Sequence, residues 1–596
     1  MRPLLIIIAL FYLQSSYSQD DFLAKQYFND GSFEKALIFY QKLADKNPRR
    51  PDYLEGLIAC YQQLERYDEG EQFLLKSIQN GNTYPTLLIE LGHNYDLQGL
   101  TKKASEYYEK ALERINENPN YGYVLGSKFQ QYVLLDYALR AFTKAMALNP
   151  KLDYNFQKAR IYGEQGDIEK MYESYLTLIS NGSTSKSNIL QNINDFITSD
   201  PANENNIKLK RILLQNAQKN PDILWNELLS WLFVQQKQYN SAFNQEKAIY
   251  KRDPEGTLQR LVSLGNLAME DNAMEDAKTI YEYIVSNGYE GSIKLNAQLS
   301  LIEIDLLDAD AKKLEAIDNY FQQLMEGYGY NSQSLQLQIA YANFLTFKLD
   351  SPDNAIGILK QCLDLPLNKY GSAYIKMALG DILVYNQKFN EALIDFSQVQ
   401  KDLKNDVLAQ DARFKVAQTS FYKGDFDWAL TQLKVLRSST SQLIANDAMQ
   451  LSLLISDNSL EDSTQIALKK YAKADLLAYQ KKTKEAISEL NDILENHKGE
   501  KIEDEALFKQ GQLLESLKDF EAAKFNYQKI ITFYSNGILA DDAYFALAEL
   551  YKNELNDPEK AKEHYERIIY DYQDSYYFPL ARKNYRILRG DALNQP

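Results

Sequence analysis

The chain repeats itself at a fixed interval, and no other feature limits its possible folds as tightly. Residues 91–111 read LGHNYDLQGLTKKASEYYEKA. Leu91, Tyr95, Ala104, Tyr108 and Ala111 fall at helical offsets. Gly99, with Leu100 and Thr101 behind it, interrupts the pattern. The reading is two amphipathic helices joined by a turn. Gly92, Ala104 and Ala111 carry almost no side chain, so two helices can approach closely there. Tyr95 and Tyr108 fill the space beside those contacts. Steps of 34 residues back from Ala104 reach Gly70 and Ala36; one step of 34 forward reaches Ala138, and 33 more reach Met171. The aromatic nine residues before each anchor recurs as Tyr27, Tyr61, Tyr95, Phe129 and Tyr162. Four residues after each anchor stand Tyr40, Leu74, Tyr108, Phe142 and Tyr175. Such a unit buries its apolar face against its neighbours, not around one centre.

This pattern resembles the tetratricopeptide repeat, a helix–turn–helix unit of about 34 residues. The resemblance implies an all-α fold: a right-handed superhelical solenoid of about 14–16 repeats plus a C-terminal capping helix. It also implies a protein-interaction scaffold, and the repeats alone do not name the partner.

Five regular repeats occupy residues 19–181, an N-terminal array. Residues 182–455 read as a central array with degenerate repeats. One of these pairs residues 189–197 with 207–217. Another turns near Asp308 and Asp310 and continues as a helix over 313–327. The anchors Ala242, Ala277, Ala355, Ala392 and Ala429 mark the rest. The step from Ala429 to Ala486 is 57 residues, which is not a whole number of repeats. Residues 455–464, ISDNSLEDST, are polar, so an internal boundary that opens easily is expected there. Residues 465–596 form a C-terminal array, anchored at Ala486, Ala523 and Ala561, with a last single helix from Phe578.

Residues 1–18 read as a secretory signal peptide. One Arg precedes an apolar run over residues 4–13, LLIIIALFYL. Ten helical residues span about 15 Å, half a bilayer core. Ser16 and Ser18 supply the small residues of a cleavage site. The expectation is an exported protein, in the periplasm or peripheral to the outer membrane, with no transmembrane span after cleavage.

The balance of 66 Lys plus Arg against 82 Asp plus Glu gives a net charge of −16, which disfavours nucleic acid as a partner. Cys60 and Cys362 stand too far apart in an array to pair and read as buried free thiols. The three histidines, His93, His497 and His564, sit in different repeats at no metal-ligand spacing. No zincin, nucleophile-elbow or complete phosphate-loop motif occurs; NGSTSK over 181–186 reads as a turn. No catalytic residue, metal or cofactor is expected, and the chain is read as a non-enzyme.

Within the family, the first helix of each pair lines the inner groove. The residue fifteen before the anchor points there: Tyr123, Phe156, Phe414, Tyr471 and Phe508, with Phe545 displaced by one. Arg160 joins Phe156 in the fifth repeat. These residues form the candidate partner-binding groove, an aromatic-lined trough for an extended or helical segment. The competing reading is that the same rings pack between first helices. Residues 527–551 and 557–582 also resemble the repeats of the Tol–Pal division coordinator and of outer-membrane assembly lipoproteins. That resemblance implies protein partners in the cell envelope. The alternative is an envelope receptor for a small glycan, or an accessory to a cell-wall enzyme.

Overall fold

A computed structural model describes residues 20–48, 50–79, 84–253, 256–289, 291–437, 441–459 and 465–591. The signal-peptide reading of residues 1–18 lies outside them. The described residues are helices and turns with no strand, from the helix over 20–29 to Phe578–Arg589. Helices alternate as first and second members of pairs, as in Thr86–Asp96 with Thr101–Glu113 and Ala540–Asn553 with Pro558–Asp571. The chain divides into two compact units, one up to Ile280 and one from Tyr281.

The turn inside most pairs uses a left-handed residue. A residue with positive φ stands at Gly31, Glu65, Gly99, Val133 and Gly166, five residues before each anchor of the first ladder. The same offset holds at Lys237, Asn272, Asp350, Gln387, Gly424, Lys481, Lys518 and Asn556. At most of them the next residue's N–H bonds back to the carbonyl five before it, as Leu100 to Tyr95 and Leu134 to Phe129, both at 2.9 Å; after Asp350 and Asn556 it reaches the carbonyl six before, Leu345 and Tyr551. The former is the six-to-one bond that closes a helix at a left-handed residue. Most of these positions carry a side chain that is sterically penalised there, and Val133, with φ of 58°, is β-branched. Val133→Gly is therefore expected to stabilise its pair by roughly 1 kcal/mol, after the greater freedom of glycine in the unfolded chain is offset. A lower melting temperature for that variant would contradict the turn geometry.

Close approach explains the small residues. A Cβ added to Gly92 would lie 2.4 Å from the Tyr108 ring; one on Gly126 would meet Phe142 at 2.5 Å. Gly380 with Phe396 and Gly511 with Tyr527 repeat the contact in the second unit, at 2.4 and 2.5 Å. Ala36, Ala104, Ala138, Ala242, Ala355, Ala392, Ala429, Ala486, Ala523 and Ala561 are all buried. In the first unit the early anchors join one continuous apolar core running from Ala24 to Ile161. The second unit holds successive cores, from Leu295 to Leu476, Ala417 to Ala506, and Leu507 to Ala581.

The stretches read as degenerate repeats hold the helices Lys186–Asn194 with Glu204–Lys219 and Gly291–Asp305 with Ala311–Tyr328. The 57-residue step contains an extra helix, Gln442–Ser459, of 18 residues, unpaired between two regular pairs. The stretch over 455–464 read as a boundary overlaps the end of this helix, and its remainder lies outside the described residues. Ala448 and Ile455 are fully buried, because a polar sequence can still carry an apolar stripe one side wide. Residues 438–440 and 460–464, at its two ends, lie outside the described residues.

Candidate interaction surface

The candidate groove residues fall on first helices in both units. Tyr123 lies on Tyr121–Gln131, and Phe156 and Arg160 on Asn155–Glu164, in the first unit. Tyr123 is 50% exposed, and its ring centroid lies 6.0 Å from that of Tyr154. Phe156 is half-buried with its edge toward Tyr175 at 5.8 Å, while Arg160 is exposed. Tyr123, Tyr154, Phe156 and Arg160 thus give two consecutive first helices an aromatic surface with one cation.

In the second unit the candidates are more deeply engaged. Tyr471 is buried, and its phenol is pushed far above the usual range by burial and then by Asp475 and Glu505. Phe414 packs against the core that begins at Ala417. Phe508 faces Tyr527 at 5.6 Å, and Phe545 stacks on Tyr577 at 4.3 Å. These four rings belong to the packing between neighbouring helices as well as to the first-helix face.

Two clusters on first helices escaped the sequence reading. In the first unit Lys128 places its ammonium 2.6 Å from Glu90 and 3.0 Å from Glu55, across three successive first helices. Tyr132 donates to Glu90 at 2.7 Å, and His93 stacks on Tyr132 at 3.8 Å. Burial raises the Glu90 carboxyl above its ordinary range. Burial alone would lower Lys128, but the Glu90 and Glu55 carboxylates reverse that and leave it raised. The short contacts of one ammonium with two carboxylates favour the charged form. The signal was present in the sequence as charges inside apolar helices, but Glu90 and Lys128 occupy different repeat positions, so no ladder links them.

In the second unit the C-terminal ends of four first helices meet. Phe347 contacts Tyr385 at 5.3 Å and Tyr479 at 5.7 Å, and Tyr422 lies 6.3 Å from Tyr479. Tyr479 donates to the Asp381 carbonyl at 3.1 Å, and Gln480 to that of Tyr385 at 2.7 Å. These contacts span almost a hundred residues of sequence. They occupy the helix ends with one another, so a partner segment has no place there.

Beside the extra helix lies an open groove of about 400 Å³ that includes Asn458, Leu468 and Lys501. Asn458 donates to Glu505 at 3.2 Å. Burial first, then the neighbouring Asp504, pushes the Glu505 carboxyl up to about 9. A carboxyl raised on folding stabilises fully below its unfolded pKa, and that contribution is lost as pH rises through the folded value. Glu505 therefore weakens the second unit progressively between about pH 4.5 and pH 9. In Glu505→Gln that loss is absent, so its melting temperature should exceed the parent's by a margin that widens from about pH 5 to about pH 9. A constant margin would remove Glu505 as the cause.

His497 contacts Glu500 at 2.8 Å, whereas His564 stacks on Tyr551. Burial lowers the His93 and His564 imidazoles. Among the described residues no group of three or more His, Cys, Asp or Glu side chains could hold a metal. Cys60 and Cys362 are buried free thiols, raised by burial to about 12 and about 11. No described helix is long and apolar enough to cross a membrane.

Residues 505–537 and 542–575 match one family model described as tetratricopeptide repeat, and residues 85–118 match another so described. The chain carries tetratricopeptide repeats. It is similar to a TPR repeat-containing protein of Methanocaldococcus jannaschii, MJ1428, at 24% identity over 333 residues, 51% of this chain and 55% of that protein. It is also similar to the general transcriptional corepressor trfA of Dictyostelium discoideum, at 25% identity over 131 residues, 22% of this chain and 9% of that one. The chain thus spans about half the length of the first relative and a small part of the second. The solved structure of Naa15/Naa10 bound to HypK-THB aligns over 96% of both chains, at 13% identity and a TM-score of 0.29. That of the APC/C hetero-tetramer Cut9-Hcn1 aligns over 98% of both, at 13% identity and a TM-score of 0.22. Superpositions this loose carry no argument about shape or role.

Proposed function

We propose that this protein is an exported, non-enzymatic scaffold that holds a protein partner of the cell envelope on its first helices. The observation that carries the reading is the surface made by exposed Tyr123 and Arg160 with half-buried Tyr154 and Phe156 on a framework of packed repeats. Aromatic rings and arginine supply most of the binding energy in protein interfaces, and here they stand on packed helices. The leader-like residues 1–18 support export, and the net charge of −16 argues against nucleic acid as the partner. The Tol–Pal-like and assembly-lipoprotein-like pattern of the last repeats supports the envelope as the place of action.

A photo-crosslinking residue at Tyr123 tests this in cells. One discrete crosslinked protein is expected, lost on Phe156→Ala with Arg160→Ala, while the same probe at Glu106 on a second helix gives none. Equal crosslinking from both positions would sink the assignment of the surface. Recovery of the protein from the cytoplasm with Met1 intact would sink export.

A further inference from the structure

Phe578–Arg589 stands 38 residues after Ala540–Asn553, in the place of a first helix, and among the described residues no second helix packs on it. In the preceding pair, Tyr544, Leu547, Ala548 and Tyr551 form the face turned to the second helix. Tyr551 stacks on His564 of that helix at 5.4 Å, and Tyr544 lies 5.8 Å from it. Thirty-eight residues on, the same four positions are Arg582, Tyr585, Arg586 and Arg589. An apolar face has become one of three guanidiniums around a tyrosine. These residues line a groove of about 460 Å³ whose other wall is Ile569 and Tyr570 of Pro558–Asp571.

The charge in this groove is only partly answered. Asp591 pairs with Arg586 at 3.6 Å and also with Arg589. Tyr585 donates to Glu566 at 3.2 Å. Arg582 has no carboxylate partner among the described residues. Tyr570, on the opposite wall, is 67% exposed. The helix itself has four basic and no acidic residues, in a chain of net charge −16.

We infer that this groove receives an acidic amphipathic helix of a partner protein, docked where each preceding pair has its own second helix. The shape follows from the repeat, because the groove lies between two helices at the place a third occupies elsewhere. The chemistry follows from the arginines. A helix of the apolar kind that fills the earlier positions would strip water from three guanidiniums that share the single carboxylate of Asp591 and leave Arg582 with none. A helix with carboxylates at i, i+4 and i+7 can pair with Arg582, Arg586 and Arg589, which share that spacing, and lay its apolar residues on Ile569, Tyr570 and Tyr585. This rests on the scaffold reading only in taking the ligand to be a protein; the site is separate from the Tyr123 and Phe156 surface.

The test pans a phage library of 18-residue helical peptides, randomised on one face, against the full chain. The enriched peptides are expected to carry Glu or Asp three and four residues apart. By fluorescence anisotropy a labelled winner should bind at least roughly tenfold more weakly to Arg582→Glu with Arg586→Glu, and several-fold more weakly when salt is raised from about 50 to about 300 mM. Phe156→Ala with Arg160→Ala should bind it unchanged, which separates failure here from failure of the other surface. Circular dichroism confirms that each variant folds, and Arg582→Gln provides a milder substitution if the double variant does not. Enrichment of neutral or basic peptides, no enrichment at all, or binding indifferent to the arginines would overturn the proposal. So would concentration-dependent self-association abolished by Arg582→Glu, which would make the occupant a second copy of this chain.

Discussion

Replacing Lys128 with methionine is expected to destabilise the first helices of the first unit by about 3–5 kcal/mol, the usual cost of leaving a buried charge without its partner. Lys128 is 6% exposed, and Glu90 beside it 1%. The ammonium donates to Gln131 at 3.2 Å and forms ion pairs with Glu55 and Glu90. The thioether side chain would fill the volume but leave Glu90 with the Tyr132 hydroxyl alone. The same substitution made with Glu90→Gln should recover most of the loss, because a neutral amide can still accept from Tyr132 and has no charge to solvate. Hydrogen exchange, resolved by peptide over residues 51–132, is the measurement of choice, since a long repeat array does not unfold in one step. A loss below about 1 kcal/mol for Lys128→Met, or no recovery in the double variant, would show that the cluster is solvated and structurally idle.

That cluster also marks where sequence reading stops. The ladder was legible because each of its positions has one steric demand, repeated at a fixed interval. Ala104 must be small, Tyr108 must be large, and Gly99 must tolerate a left-handed backbone. Even the degenerate repeats could be placed, because two helices and a turn must fit each interval. The extra helix Gln442–Ser459 escaped because it has no partner in its own pair and so leaves no anchor. Contacts that bridge several repeats escaped for a related reason. Nothing in the local pattern around Tyr479 points to the Asp381 carbonyl, and nothing around Glu90 points to Lys128. The candidate surface was legible only as a list of positions. Which rings remain exposed, as Tyr123 does, and which are consumed by packing, as Tyr471 is, depends on how neighbouring first helices meet.

Ala104→Leu should cost roughly 1–3 kcal/mol by overpacking the contact between Thr86–Asp96 and Thr101–Glu113. Ala104 is buried, and its carbonyl would lie 3.1 Å from a Cβ placed on Gly92, with the Tyr108 ring closer still. The extra carbons of leucine therefore press on a pair of helices already at their closest approach. Ala111→Leu should behave alike, since that residue is also fully buried. Lys103→Leu is the control. Lys103 is exposed and holds its ammonium 5.0 Å over the Tyr95 ring, so its loss should cost a few tenths of a kcal/mol to about 1 kcal/mol. Because each pair touches mainly its neighbours, exchange should rise across residues 70–145 and remain unchanged near Ala523. A neutral Ala104→Leu beside a damaging Lys103→Leu would mean that the helix phase is wrong by one residue. Tyr123, Phe156 and Arg160 are placed by the same phase, so the proposed partner surface would then have to be redrawn with it.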